Sequence, residues 1–235
     1  MQNLQITAHL STAIGTYDNW SPSIEGILIY QLLLRHDLLS CNPTSQEVAE
    51  MQDFLAKNLP LQQTSIKDEK YYCSSSPYYV VQGEATDRYR KRWDSHDINL
   101  NWGKRKPQFK TGEGAEKSYD LPLYVRLVSS INWFVVGDKD EIKSLLLSVD
   151  HIQKKRSYGN GEVREWQIGI AYDDYHLWRD DKLMKPIPVR LVDDKLDNPQ
   201  MVWGWRSPAW LATNKELCYM PKDNIIYGTG RKVNV

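Results

Sequence analysis

The sequence holds only 3 cysteines in 235 residues, Cys41, Cys73 and Cys218, widely spaced and with no CxxC pair. An odd, dispersed set excludes a disulfide framework and a zinc knuckle, and fits a reducing compartment. Neither charge is in excess, with 30 Lys and Arg against 30 Asp and Glu. Attraction of the whole chain to nucleic acid or membrane is therefore unsupported, and any such contact needs a local patch. No run of about 18 apolar residues is present, and MQNLQITAHL lacks the charged-then-apolar layout of a signal peptide, so a soluble cytoplasmic protein without membrane contact is expected. Phenylalanine is scarce, at 3, beside 9 Trp and 14 Tyr. Most rings thus carry a polar handle, which suits half-wet surfaces where stacking or interfaces occur, or the polar edge of a core.

Catalytic motifs are missing too. His9, His36, His96, His151 and His176 are scattered, with no HExxH, no HxE with CxxC and no GxSxG elbow. No metal or cofactor is expected. The doublets Asp173-Asp174, Asp180-Asp181 and Asp193-Asp194 read as solvated surface.

At 41% hydrophobic the chain can bury a sizeable core in one large domain or two small ones. Leu4, Ile6, Ala8 and Leu10 alternate with polar residues and predict a first strand. Ile24, Ile27, Leu28, Leu32 and apolar neighbours up to Leu39 repeat at three and four residues and predict a helix. Thr44 and Glu47 form a capping box before Val48, Met51, Phe54, Leu55 and Leu59, with Pro60 as a stop. Residues 71–82 have strand composition with a bulge or edge at Pro77, and 121–136 predict one long strand or a hairpin broken near Ser129 and Ser130. Asp138 and Glu141 precede an amphipathic pattern through Ile152, a helix of about four turns that Gly159 and Gly161 would close. Val163, Ile168 and Ile170 then predict a strand. The order strand, helix, strand, strand, helix, strand is that of the split βαβ, ferredoxin-like plan related to the RRM. The expected fold is thus α+β, with one domain over 1–171 and an extension of irregular structure or short strands over 172–235 packed on it.

Between the second and third strands of that plan lies an insert, about residues 84–120, too polar to be core. Within it, residues 88–110 hold 8 Lys and Arg against 2 Asp, so a neutral chain carries a concentrated basic segment. Arg88, Arg90, Lys91 and Arg92, then Lys104, Arg105 and Lys106, flank an Asn-rich centre with Tyr89, Trp93, Trp102 and Phe109 interleaved. Cations can pair with phosphates while rings stack on bases, so single-stranded nucleic acid is the natural ligand, against the plainer reading of a solvated loop. A second candidate is the run Lys154, Lys155, Arg156, Ser157, Tyr158, Gly159, Asn160, Gly161. Cations at a helix C-terminus and terminating glycines need no ligand, but three cations joined to a small backbone-exposing turn can approach phosphates closely. The spacing is neither Walker A nor the dinucleotide fingerprint.

These features, an N-terminal strand leading into SIEGILIYQLLL and the glycine turn KKRSYGNGEV after the second core helix, resemble the CRISPR-associated RAMP superfamily. The segments KPIPVRL at 185–191 and WRSPAWLATNKELCYMP at 205–221 look like the type IV effector subunit of the Cas-five class, Csf-three-like. The resemblance implies a non-catalytic subunit that caps the 5′ handle of the CRISPR RNA. Its partners would be backbone subunits of the Cas-seven class and a large-subunit-like foot protein, with target DNA paired in the assembled complex. It further implies that residues 154–161 are the family's glycine-rich loop near the RNA backbone, and that the 84–120 insert is a thumb-like hairpin gripping the handle. The chain has Glu25-Gly26 where the family's first helix opens with a Leu-Asp-Gly type of start.

Two other readings use the same residues. In one, the protein is a metal-independent endoribonuclease that processes precursor RNA, with His96 and either Lys91 or Tyr89 as acid-base groups. In the other, it is a protein-interaction module anchored by Trp203, Trp205, Pro208 and Trp210, which otherwise belong to a packed inner surface.

Overall fold

The computed structural model describes residues 1–16, 18–39, 44–91, 117–153 and 158–227, and the architecture is α+β. In chain order the strands are β1 (Gln2–Leu10), β2 (Ile14–Gly15), β3 (Gln63–Ile66), β4 (Glu69–Tyr72), β5 (Tyr78–Val81), β6 (Gly83–Lys91), β7 (Tyr119–Leu127), β8 (Ser130–Gly137), β9 (Val163–Ile170), β10 (Trp178–Arg179), β11 (Lys182–Leu183), β12 (Ile187–Pro188), β13 (Gln200–Gly204), β14 (Lys215–Tyr219) and β15 (Ile225–Tyr227). The main sheet has the order β15-β5-β8-β1-β9, antiparallel except where β15 runs parallel to β5. The alternation in β1 works as expected: Leu4, Ile6, Ala8 and Leu10 are buried, while Gln5, Thr7 and His9 lie half-buried on the other face. There the Asn132 Oδ1 accepts from Gln5 Nε2 at 3.1 Å and from Thr7 Oγ1 at 2.8 Å. On the apolar face Trp133 is fully buried, and its indole N–H donates to the Pro22 carbonyl at 2.9 Å.

Helices α1 (Ile24–Arg35), α2 (Ser45–Asn58) and α3 (Lys139–Leu146) contribute buried residues to the same core. Ser23 caps α1 and buries Ile24, Leu28, Ile29, Leu32 and Leu33 with it. The apolar pattern runs on to Leu39, but the helix stops at Arg35 because Asp37 takes a left-handed φ of 55° and the Leu38 N–H turns back to the Leu33 carbonyl. The capping box of α2 is present in both directions: the Glu47 N–H donates to Thr44 Oγ1 and the Thr44 N–H donates to the Glu47 carboxylate. Asp138 caps α3, accepting from the Asp140 and Glu141 N–H groups at 3.0 and 3.1 Å. Helix α3 is shorter than expected, and Gly159 and Gly161 do not close it. After Leu147 the Val149 N–H turns back to the Leu146 carbonyl and the chain then pairs with the 161–163 segment, Ile152 N–H to Gly161 O and Val163 N–H to Asp150 O, so Val149 and Ile152 are buried from outside the helix.

The stretch 121–136 is neither one strand nor a hairpin. It breaks at Val128 and Ser129, and its halves lie in different sheets, β8 in the main one and β7 in a small sheet of order β2-β7-β6. Burial of Val128 and the bond from the Leu10 N–H to the Ser129 carbonyl hold that break. Pro77 separates β5 from the buried Cys73–Ser76 stretch, which hydrogen-bonds to Gln62, Phe134 and Met184. Burial pushes the Cys73 and Cys218 thiols up to about 12, so neither is a thiolate at neutral pH. No helix among the described residues is long and apolar enough to cross a membrane.

Short strands do make up the C-terminal region. β10 and β11 pair through Asp180 and Asp181, both at positive φ, and β12-β14-β13 form a three-stranded sheet over a second core of Tyr71, Leu183, Ile187, Leu191, Trp205, Cys218, Tyr219 and Met220. β15 goes further than the expectation, adding a strand to the main sheet beside β5. The segments that carry the family resemblance fasten this region down. Lys185 reaches Glu25 at 2.8 Å, both nearly fully buried, and also donates to Ser74 Oγ at 3.0 Å. Ser74 and Ser207 donate to the same carboxylate. Arg190 pairs with Glu69 and Glu216, Arg206 with Glu69, and the Trp205 indole N–H with Glu216.

Removing one member of a buried ion pair strands the other, whereas removing both does not. Lys185→Met is expected to lower unfolding stability by about 3–5 kcal/mol, and Glu25→Gln with Lys185→Met by much less than the sum of the singles, as read by urea denaturation. His176 supplies a pH test. Burial holds its imidazole below the ordinary 6.5, outweighing Asp174 at Nδ1, while Nε2 faces Tyr71 Oη at 3.2 Å. A depressed histidine binds its proton more readily when unfolded, so this contribution is present above pH 6.5 and is lost as pH falls below it. Thermal unfolding between pH 7.5 and 5.5 is expected to show that fall, reduced in His176→Gln.

Candidate nucleic-acid interface

Strands β6 and β7 form an antiparallel ribbon from the Gly83↔Leu127 pair to the Lys91↔Tyr119 pair, the described part of the expected 84–120 hairpin. Because directly opposed residues share a face, the ribbon is two-sided. Glu84, Arg88, Arg90, Asp120 and Arg126 lie on one side; Tyr89, Lys91, Tyr119, Leu121, Leu123 and Val125 lie on the other. The expected basic quartet is therefore split, with Lys91 opposite in direction to Arg88 and Arg90. Arg92, Trp93, Lys104, Arg105 and Lys106 lie outside the described residues, as do Trp102, Phe109 and His96.

The two arginines share one acid. Arg88 reaches Asp120 at 2.8 Å and Arg90 reaches it at 3.3 Å, with both arginine side chains more than half exposed. Partial desolvation works to raise the Asp120 carboxyl, but the two guanidiniums hold it below its ordinary value. The patch thus has two cations oriented by one carboxylate, a feature the basic run did not reveal because Asp120 lies far along the chain. Arg126 sits at the ribbon's base with its side chain largely buried, donating to Glu84 at 2.8 Å, to the Tyr79 hydroxyl of β5 at 3.1 Å and to the Tyr227 hydroxyl of β15 at 3.4 Å. It bolts the hairpin to the main sheet.

On the other side the rings of Tyr89 and Tyr119 stack, centroids 4.8 Å apart, and the Tyr119 hydroxyl donates to that of Tyr89. Tyr158 meets Tyr89 edge-on at 4.6 Å. The glycine-rich turn and the basic hairpin, far apart in sequence, are therefore in contact. The hydrogen bond that Tyr119 donates to Tyr89 pushes its phenol up to about 12; desolvation and the same neighbour raise Tyr158. Both are neutral hydroxyls at pH 7. Tyr158 remains 55% exposed, which leaves ring surface for a ligand.

Lys154, Lys155, Arg156 and Ser157 are outside the described residues, so of the second candidate only Tyr158, Gly159, Asn160 and Gly161 can be placed. The two glycines differ. Both have positive φ, 79° and 70°, but a Cβ on Gly159 would meet open space, whereas one on Gly161 would lie 2.0 Å from the Ile152 carbonyl oxygen. The Gly161 N–H donates to Ala13 O, so this glycine is committed to packing and Gly159 is the one with free surroundings. Of the aromatic anchors, Trp205 and Pro208 are buried, Trp203 is partly buried and Trp210 is 52% exposed.

Gly159→Ala is expected to cost about 1–2 kcal/mol for its left-handed backbone alone, and Gly161→Ala clearly more, read as the difference in unfolding free energy between the two variants. Equal losses would contradict the packing assignment. No curated protein matches the chain. The model for CRISPR type IV associated protein Csf3, however, matches residues 54–221, from the last turn of α2 through hairpin, glycine turn and C-terminal sheet, and a match over more than half of its length makes this chain a member of that family.

Proposed function

We propose that this protein is the non-catalytic CRISPR-RNA-binding subunit that caps the 5′ handle in a type IV effector complex in the cytoplasm. The observation that carries the reading is the contact of Tyr158 in the glycine-rich turn with Tyr89 on the basic hairpin, which joins two sequence-separated RNA-binding candidates into one surface. Lys91 shares that aromatic face, with exposed tyrosine surface for bases, and Arg88 and Arg90 on the ribbon's opposite face add exposed cations for phosphates. The strand order β5-β8-β1-β9, with α1 following β1 and α3 following β8, supports reading the main domain as ferredoxin-like with β6 and β7 as its thumb. In this role the protein packs beside backbone subunits of the Cas-seven class and a large-subunit-like foot protein while the guide pairs with target DNA.

Co-purification with the neighbouring subunits and sequencing of bound RNA tests the reading. Uniform RNAs sharing a repeat-derived 5′ end are expected, and a complex carrying no RNA overturns it. Arg88→Ala with Arg90→Ala and Lys91→Ala should lose that RNA. Asp120→Asn releases two guanidiniums and is expected to tighten single-stranded RNA binding several-fold, with the salt slope steepening by about 0.7 for each added phosphate contact. A defined cleavage product from repeat RNA in chelator would instead establish the endoribonuclease reading.

A further inference from the structure

A cavity of about 160 Å³ opens between the start of α1 and the C-terminal region, walled by Trp20, Trp203, Trp205 and Trp210 with Glu25 and Lys185 among its lining. The geometry points to this cavity as a binding site for one nucleobase, separate from the hairpin surface; taking that base from RNA rests on the RNA-binding reading above.

The walls are held. The Trp20 indole N–H donates to Pro221 O at 2.8 Å and that of Trp205 to Glu216, while Trp20 and Trp203 meet edge-to-face at 5.8 Å. Their ring faces are thereby fixed before any ligand arrives. Trp210 differs: its indole is 52% exposed yet lines the cavity, so it is an aromatic rim with one side open. The volume exceeds many times what a single water needs and falls below the roughly 300–1,000 Å³ of sites for drug-sized ligands. It suits one planar ring system, not a peptide segment.

Charge narrows the chemistry. Glu25 and Lys185 are the charged side chains among the described lining residues, and they neutralise each other at 2.8 Å. A phosphate entering would face the carboxylate, and an organic cation would face the ammonium, whereas an uncharged heterocycle meets neither penalty. An ammonium has three N–H donors. Two of those of Lys185 reach Glu25 and Ser74, which leaves the third for a carbonyl oxygen or ring nitrogen on a base edge. Aromatic walls bind any base by stacking, and the polar floor selects an edge that accepts a hydrogen bond. The loop that carries Trp20 also touches the ribbon's base, where the Asp18 carbonyl accepts from Arg126 at 3.5 Å.

The test uses the full chain in its co-purified complex and alone. Single-stranded RNA carrying one 4-thiouridine at successive positions is bound and irradiated, and crosslinked peptides are mapped by mass spectrometry. In parallel, tryptophan fluorescence is titrated with each free nucleoside. Trp210→Ala removes an exposed ring that lies outside the buried cores, and its unfolding midpoint should match the parent. Crosslinks to the 203–210 peptide from one RNA position, with about fivefold or greater weakening of RNA binding in Trp210→Ala, are expected. A nucleoside-dependent fluorescence change lost in Trp210→Ala, without RNA crosslinks at 203–210, assigns the cavity to free nucleosides. Crosslinks confined to the hairpin, with Trp210→Ala binding as tightly as the parent and no nucleoside response, overturn the site and leave the RNA-binding reading standing. A chain that binds no RNA but responds to nucleosides through Trp210 reverses that outcome.

Discussion

The Glu25–Lys185 pair is the contact on which the arrangement of this molecule turns. Taking two charges out of water costs several kcal/mol for each, and the attraction between them offsets that only when the remaining hydrogen-bonding capacity is filled. Here Ser74 and Ser207 fill it. The four residues come from the first turn of α1, the segment before β5, the approach to β12 and the loop after β13. One node thus ties the amino-terminal helix, the middle of the chain and the C-terminal sheet together. None of those segments can shift without exposing or stranding a charge.

From that node the rest follows by attachment. With the C-terminal sheet fixed, Asn224 bridges the carbonyls of Asn19 and Pro77, and β15 is delivered alongside β5. Tyr227 of β15 and Tyr79 of β5 then offer their hydroxyls to Arg126, which sets the base of the hairpin. The hairpin's cationic side is in turn oriented by Asp120, and its aromatic side by Tyr158. The ribbon is in this way mounted on a chain of satisfied buried groups, which in the proposed RNA-binding role keeps the cost of ordering it out of the binding step.

Period and capping made the core elements legible. The alternation of β1, the Thr44–Glu47 box and the Asp138 cap are local signals, and each appears where the sequence places it. Errors arose where long-range pairing competes with a local pattern. Val149 and Ile152 keep helical spacing beyond α3, yet the backbone of Asp150 and Ile152 is claimed by Val163 and Gly161, a pairing that apolar spacing does not reveal. Residues 121–136 read as one strand or a hairpin broken near Ser129 and Ser130; the break falls there, but the division between two sheets depends on which strands lie beside each half. The basic run marks the cations of the ribbon, but the acid that orients two of them and the tyrosine that joins the ribbon to the glycine turn come from other segments.

The C-terminal segments that carry the resemblance are engaged in holding the fold together. Lys185, Arg190, Trp205 and Arg206 are occupied with Glu25, Glu69 and Glu216. Each of these partners is buried or shared, so replacing one residue leaves another without its counterpart. A phosphate contact demands only a cation at roughly the right place, and arginines on an exposed ribbon can move along it without loss. Gly159 and Gly161 show a contrast within three residues: the packed glycine is fixed by the Ile152 carbonyl as well as its positive φ, while the open one is fixed by its positive φ alone. The contacts of Glu25, Glu69 and Glu216 thus hold the scaffold, and the exposed groups of the ribbon are mounted on it.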